Sequence, residues 1–166
     1  MIRDCTVADA RGVHAIYNHH VLHTTVTFEI APVSVEEMAR RIEAVTARFP
    51  WLVWVEDGAV AGYAYASEWR SRCAFAQTVE SAIYVGEAYQ RRGIGLALYA
   101  ALLDRLRAAG IHCVIAGISL PNAASEALHA RLGFREAGRF LEAGRKFDRW
   151  LDLAYWQLLI DDTELE

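Results

Sequence analysis

Cysteine is scarce in this 166-residue chain, and the three present (Cys5, Cys73 and Cys113) are odd in number and far apart. They offer neither a disulfide framework nor metal-ligand spacing, and read as ordinary core or surface residues of a reducing compartment. Basic residues are in no excess: 17 Lys and Arg stand against 21 Asp and Glu, a formal net charge of −4. A duplex-binding domain needs the opposite balance, so nucleic acid is not an expected partner. No apolar run approaches membrane-spanning length, and Met1-Ile2-Arg3-Asp4-Cys5 has no apolar stretch behind a basic start. The expectation is a cytoplasmic protein without a membrane partner. Repeats, low-complexity tracts and linkers are missing as well, which leaves one domain over residues 1–166. The acidic tail from Asp161 to Glu166 reads as nothing beyond solubility.

What the chain does have is core-forming material, 54% hydrophobic against 23% charged residues, so a sizeable core is expected and disorder is not. Ile2 to Cys5 suits a short strand. Thr6 with Asp9 three residues on caps a helix carrying Val7, Ala10, Val13, Ile16 and Tyr17. Ser34 and Glu37 form a capping box for a second helix, where Met38, Ile42, Val45 and Phe49 recur at helical spacing before Pro50 ends it. Trp51–Val55 and Ala59–Ala66 flank Asp57-Gly58 and read as a hairpin.

Next come a strand over Gln77–Val85, a helix over Gly93–Ala109 closed by Gly110, and an apolar strand over His112–Ile118. A short helix over Asn122–Leu132 precedes two final strands, near Phe134–Leu141 and Leu151–Leu159. The order β-α-α-β-β-β-α-β-α-β-β predicts a mixed α/β (α+β) layer. Its strand–helix–strand unit from Gln77 to Ile118 should be a right-handed parallel crossover.

The most informative stretch is Tyr84-Val85-Gly86-Glu87-Ala88-Tyr89-Gln90-Arg91-Arg92-Gly93-Ile94-Gly95. A strand ends, a polar loop follows, and a helix opens on two glycines. Unpartnered N–H groups and a positive dipole at that turn suit a pyrophosphate, with Arg91 and Arg92 adding charge. The same glycines would also relieve crowding against the sheet. The pattern is neither a Rossmann fingerprint, for want of a third glycine, nor a P-loop, for want of Gly-Lys-Ser/Thr.

About thirty residues on comes Asn122-Ala123-Ala124-Ser125-Glu126-Ala127-Leu128-His129-Ala130-Arg131-Leu132-Gly133-Phe134. Gln-x-x-Gly-x-Gly followed by this segment resembles the GNAT superfamily of acetyltransferases. Thr24-Thr25-Val26-Thr27-Phe28-Glu29, Gly62-Tyr63-Ala64-Tyr65-Ala66, Thr78-Val79-Glu80-Ser81 and Lys146-Phe147-x-x-Trp150-x-Asp152 are similar to its phosphinothricin and methionine sulfoximine branch. The resemblance implies a GNAT fold with splayed parallel strands, acetyl-CoA as co-substrate, the primary amine of a small amino-acid-like molecule as acceptor, and a homodimer.

It also implies site residues. Ile83, Tyr84 and Val85 would bind the pantetheine arm, Arg91, Arg92, Gly93, Ile94, Gly95 and Leu96 the pyrophosphate, and Asn122 and Ser125 the cofactor at the later helix. Glu80 would be the general base, since an aliphatic ammonium must lose a proton before it attacks; otherwise it is a solvated strand residue. His129 stands where many relatives carry a tyrosine that protonates the departing thiolate. Its alternative is a partly buried histidine bonded to a backbone carbonyl. Arg70 and Arg72, with Ser71, would meet an acceptor carboxylate. Phe28, Phe75, Ser81 and Ala82 would complete that pocket. Other amines, such as aminoglycosides or polyamines, and a non-catalytic acetyl-CoA-binding module are the competing readings. His19 and His23 stand four apart but lack a third ligand, so no metal is expected.

Overall fold

The structure, a computed structural model, describes residues 1–160; the acidic tail lies outside them. A short strand β1 (Ile2–Asp4) leads into helices α1 (Ala10–His23) and α2 (Val35–Thr46), then the hairpin β2 (Trp51–Glu56) and β3 (Ala59–Glu68). Strand β4 (Thr78–Val85), helix α3 (Ile94–Ala108), strand β5 (Cys113–Leu120) and helix α4 (Ala123–Arg131) follow, and a long hairpin, β6 (Arg135–Lys146) and β7 (Arg149–Leu159), ends the fold. One seven-stranded sheet runs in the order β1-β2-β3-β4-β5-β7-β6. Only β4 and β5 are parallel neighbours; every other pairing is antiparallel. The predicted element order and parallel crossover are both present. No helix among the described residues is long and apolar enough to cross a membrane.

The two-residue period of the strands divides the core. In β2, Leu52 turns to one face and packs with α3, where Leu98, Tyr99, Leu102 and Leu106 are buried. Trp51 and Val53 turn to the other, against Val13, Val21, Met38 and Ile42 of α1 and α2. The sheet is therefore filled on both sides.

Element ends differ from expectation for local reasons. Asp9 does bond the Thr6 N–H at 2.9 Å, but its carboxylate is also forked by Arg3 at 2.7 and 2.8 Å, and Val7–Asp9 winds as a 3₁₀ turn before α1 begins at Ala10. Ser34 caps α2 by accepting from the Glu37 N–H at 3.1 Å, whereas the Glu37 carboxylate turns to Arg40 and Arg41 instead of closing the box. The last hairpin is longer than predicted on both sides. Its turn, Phe147-Asp148, takes positive φ at both residues (49° and 56°) without a glycine, so the usual signal of a tight turn is missing from the sequence.

One feature of the sheet positions the site. The β4–β5 ladder holds only three pairs, Thr78–Cys113, Val79–Val114 and Glu80–Ile115. Beyond Glu80, β4 continues to Val85 bonded only to β3, and β5 continues to Leu120 bonded only to β7. The two central strands thus part, exposing facing backbone edges that need other partners.

Leu102 of α3 is fully buried in the core between that helix and the sheet. Leu102→Ala should cost about 2–5 kcal/mol of stability, read as a lower urea midpoint with an unchanged denaturant slope.

Candidate active site

The gap between the strands opens as a cavity of about 480 Å³. Its walls are the parted backbones (Ser81–Val85 on β4, Ala116–Ser119 on β5), the start of α3 and one face of α4. At the start of α3 the chain is bent for the task. Arg91 (φ 60°) and Gly93 (φ 79°) both take positive φ, and left-handed residues in such a turn can bring successive N–H groups together into a concavity suited to an anion. Gly93 is the N-cap of a 15-residue helix and adds the positive end of its dipole.

Crowding does not explain these glycines. A Cβ on Gly93 would meet nothing within 4 Å, and one on Gly95 would sit 3.6–3.8 Å from Val85, Leu128 and Ile83, an ordinary contact. Gly93 is required by its φ, and Gly95 leaves open cavity that a side chain would fill. A phosphate-bearing arm fits this cradle. Across the gap the Asn122 side-chain oxygen accepts from the Ser125 N–H at 3.1 Å and caps α4, so its N–H groups remain for the cavity.

A second cavity of about 320 Å³ meets the first along Val26, Ser81, Ala82, Tyr84, Gly117 and Ser119. Phe28, Tyr65, Tyr155 and the carboxylate of Glu80 line it. Burial raises the Glu80 pKa above the usual carboxylate range, with the charge of Arg70 pulling the other way. The roof is the loop after α1. Lys146, itself buried, donates to the carbonyls of Thr27 at 2.9 Å and His20 at 3.4 Å, and the Ser119 hydroxyl donates to the Thr25 carbonyl. Gly144 leaves space for the Phe28 ring, since a Cβ there would sit 2.3 Å from it.

His129, 3% exposed, lines the first cavity. Its Nδ1 lies 2.7 Å from the Ser125 carbonyl and its Nε2 3.1 Å from the Tyr99 hydroxyl, which is 2.6 Å from Ser81 Oγ. Burial lowers the His129 pKa, so the ring is neutral near pH 7.

A splayed parallel pair, a helix start shaped for pyrophosphate and a carboxylate beside the gap are what an acyl-transfer site on this sheet requires. The family model described as an acetyltransferase (GNAT) domain matches residues 2–155. The chain belongs to the GNAT acetyltransferases. It is 42% identical to a phosphinothricin N-acetyltransferase of Streptomyces viridochromogenes, over 94% of this chain and 85% of that protein. It is likewise 42% identical to an L-methionine sulfoximine/L-methionine sulfone acetyltransferase of Pseudomonas paraeruginosa, over 98% and 95%. A GNAT superfamily phosphinothricin acetyltransferase from Sinorhizobium meliloti, solved in complex with AcCoA, superposes with a TM-score of 0.93 at 40% identity, covering 96% of this chain and 87% of that one.

Against this GNAT frame most expected residues gather at the two cavities. Ile83, Val85, Arg91, Gly93, Ile94, Gly95, Asn122, Ser125 and His129 line the first, Phe28 and Glu80 the second, and Ser81, Ala82 and Tyr84 both. Arg92 does not: it pairs with Glu56 at 2.6 Å. Leu96 lines neither cavity, and nor do Arg70, Ser71, Arg72 and Phe75. Arg70 stacks 4.9 Å over Trp69, whose ring meets Tyr155, so its charge stands at the rim near Glu80. His19 Nε2 lies 3.6 Å from the Glu87 carboxylate and its ring is tilted at 46° to that of His23, and no group of three metal-ligating side chains occurs among the described residues. The sequence reading missed Tyr65, Tyr155, Gly117 and Ser119. They come from four strand positions that only the sheet order brings together; Tyr65 lies in the Gly62–Ala66 segment that carries part of the family resemblance, and no local motif marks the other three.

Gly144→Ala should drive the Phe28 ring into the second cavity. The expected outcome is a higher KM for the acceptor with CoA binding unchanged, compared by steady-state kinetics and calorimetry.

Proposed function

We propose that this GNAT enzyme transfers acetyl from acetyl-CoA to the primary amine of a small amino-acid-like acceptor of the phosphinothricin, methionine sulfoximine or methionine sulfone kind. The observation that carries the reading is the meeting of two cavities at one strand, β4, the first with a diphosphate cradle and the second with a half-buried carboxylate. The acceptor class rests on the relatives named above.

In this reading the amides at Arg91–Gly95 hold the pyrophosphate, and the free backbone edge of Ile83–Val85 takes the pantetheine arm that the missing strand partner would have occupied. Amides aimed at the thioester carbonyl stabilise developing negative charge, typically by about 3 kcal/mol per donor. Glu80 takes a proton from the acceptor ammonium, whose ordinary pKa is near that of lysine. A carboxylate raised by burial is the better base for it. Arg70 at the rim gives the acceptor carboxylate a cation, and Glu80 gives the ammonium an anion, so the second cavity suits a zwitterion. A polycation such as a polyamine would meet Arg70 unfavourably.

Phe140, Leu141, Phe147 and Trp150 stand exposed on the β6–β7 hairpin. They supply apolar surface for the second copy that the family resemblance implies. Sedimentation of the purified protein at micromolar concentration should report a dimer.

Free-thiol release with saturating acetyl-CoA and methionine sulfoximine tests the activity. Glu80→Gln should lower kcat/KM by about a hundredfold or more; full activity in that variant removes Glu80 as base. The pH profile has a definite sign. Glu80 must be deprotonated to act, so kcat/KM rises with pH through its raised pKa. Arg70 opposes that rise in pKa, so Arg70→Ala should move the acid limb to higher pH. A limb left in place counts against the assignment.

A further inference from the structure

Four hydrogen-bond contacts run in series beneath the reaction gap. The Ser125 carbonyl meets His129 Nδ1 at 2.7 Å, His129 Nε2 meets the Tyr99 hydroxyl at 3.1 Å, that hydroxyl meets Ser81 Oγ at 2.6 Å, and Ser81 Oγ meets the Ile115 carbonyl at 3.2 Å. Ser125 Oγ makes a longer contact with Nδ1, at 3.3 Å. Both ends of the series are carbonyls, which only accept, so each contact needs one proton of its own.

A neutral histidine, a tyrosine and a serine bring three protons to those four contacts. With Nδ1–H held on the Ser125 carbonyl, Tyr99 donates to Nε2 and Ser81 donates to Tyr99, and the Ser81–Ile115 contact is left without a proton. Add one proton at His129 and every contact fills. Nε2–H then donates to Tyr99, Tyr99 to Ser81, and Ser81 to Ile115. Ile115 closes the β4–β5 ladder opposite Glu80, and a carbonyl has a second lone pair that can take the serine hydroxyl.

We propose that Ser81, Tyr99 and His129 form a proton-storing wire that carries the acceptor's second proton to the departing thiolate. It rests on the acetyl-transfer reading above and adds a path for a proton which that reading leaves unassigned. An ammonium that becomes an amide nitrogen sheds two protons. Glu80, on the second-cavity side, takes the first before attack. As the C–N bond forms, the nitrogen passes its second proton to Ser81 Oγ; Ser81 hands its own to Tyr99, and Tyr99 hands its own to His129 Nε2. When the C–S bond breaks, the same steps run in reverse and Ser81 gives a proton to sulfur. The balance is ammonium, acetyl-CoA and Glu80 carboxylate in; amide, CoA thiol and protonated Glu80 out.

Location supports the wire. Ser81 lines both cavities and stands at the end of the series next to them. Tyr99 is 0% exposed and reaches neither cavity, and so acts only through its partners, as a positioning residue. The ring of His129 packs against Tyr99 of α3, Phe134 and Trp156 of β7, none of them charged at neutral pH. Burial keeps it neutral at rest, while the unfilled contact favours brief charging. Direct donation from His129 to sulfur is not what this geometry offers, because the neutral ring's one N–H is spent on Ser125.

Tyr99→Phe removes one oxygen and cuts the wire in the middle. Its kcat should fall about a hundredfold, with acceptor KM and CoA affinity near wild type. The proton inventory of kcat in H₂O–D₂O mixtures should be bowed for the wild type and linear for the variant. Ser81→Ala cuts the wire at its open end, should match that loss, and stands in if Tyr99→Phe does not fold. The double variant should lose no more than either alone. A Tyr99→Phe enzyme with wild-type kcat overturns the proposal, and so does a linear inventory in the wild type. A wild type that acetylates no amine sinks the transfer reading instead. The wire then stands on the ¹⁵N shifts of His129 at pH 7.5, where the Nδ1–H tautomer is expected and the Nε2–H tautomer refutes it.

Discussion

The site exists because two parallel strands stop pairing after three residues. Buried amides and carbonyls cannot be left without partners at small cost, so a break in the ladder at the centre of a sheet must be compensated. Here β3 and β7 hold the outer edges of β4 and β5 along their full lengths, and the inner edges face each other across a cavity. Antiparallel neighbours on both sides make the gap affordable. The free inner edges then become hydrogen-bonding surface for an extended ligand, much as the edge strand of a sheet accepts a peptide.

Alternation along β4 sorts the chemistry. Val79, Ile83 and Val85 pack with α3, and Tyr84 packs with α1 and α2. Glu80 therefore stands on the face of the tyrosines and Phe28, and Ser81 on the face of Tyr99 and His129. One residue of sequence separates a carboxylate half-buried among aromatic rings from a hydroxyl in a buried polar series. A one-residue slip of β4 would exchange the two. The Asp57-Gly58 turn fixes β2 on β3 with φ of 50° and 77°, and β3 pairs with β4 from Gly62–Val85 to Glu68–Val79. The β3–β4 register thus determines which of Glu80 and Ser81 faces which side of the sheet.

Much of this was legible before any coordinates. The element order, the parallel crossover and the helix start at Gly93 are local signals: capping residues, apolar spacing, a Gly-x-Gly after a strand. Glu80 and His129 were singled out through resemblance to the family and line the second and first cavities respectively, whereas their partners carried no such mark. Tyr99 reads as one more apolar position on α3, and only the docking of α4 reveals that its hydroxyl stands between two polar groups. The Phe147-Asp148 turn was illegible because positive φ without glycine leaves no mark on composition. The Arg70–Phe75 segment is placed less directly than its residue types suggest: the fold stacks Arg70 on Trp69 at the rim, and Arg72 and Phe75 line neither cavity.

That segment and the α1–β6 side divide the work of holding the second cavity. Lys146 is buried with its ammonium on two carbonyls, and burial pulls its pKa below the ordinary lysine value while Glu29 pushes it back. A buried cation is tolerated only where such partners satisfy it, and here one partner is the loop that carries Phe28. The roof is thus fixed from the long hairpin, whose glycine at 144 also leaves the ring its space. The rim at Arg70 makes no comparable polar tie to the roof. Selectivity among similar amino-acid acceptors should therefore reside in the rim, where charge can be altered without disturbing the ladder, the wire or the roof.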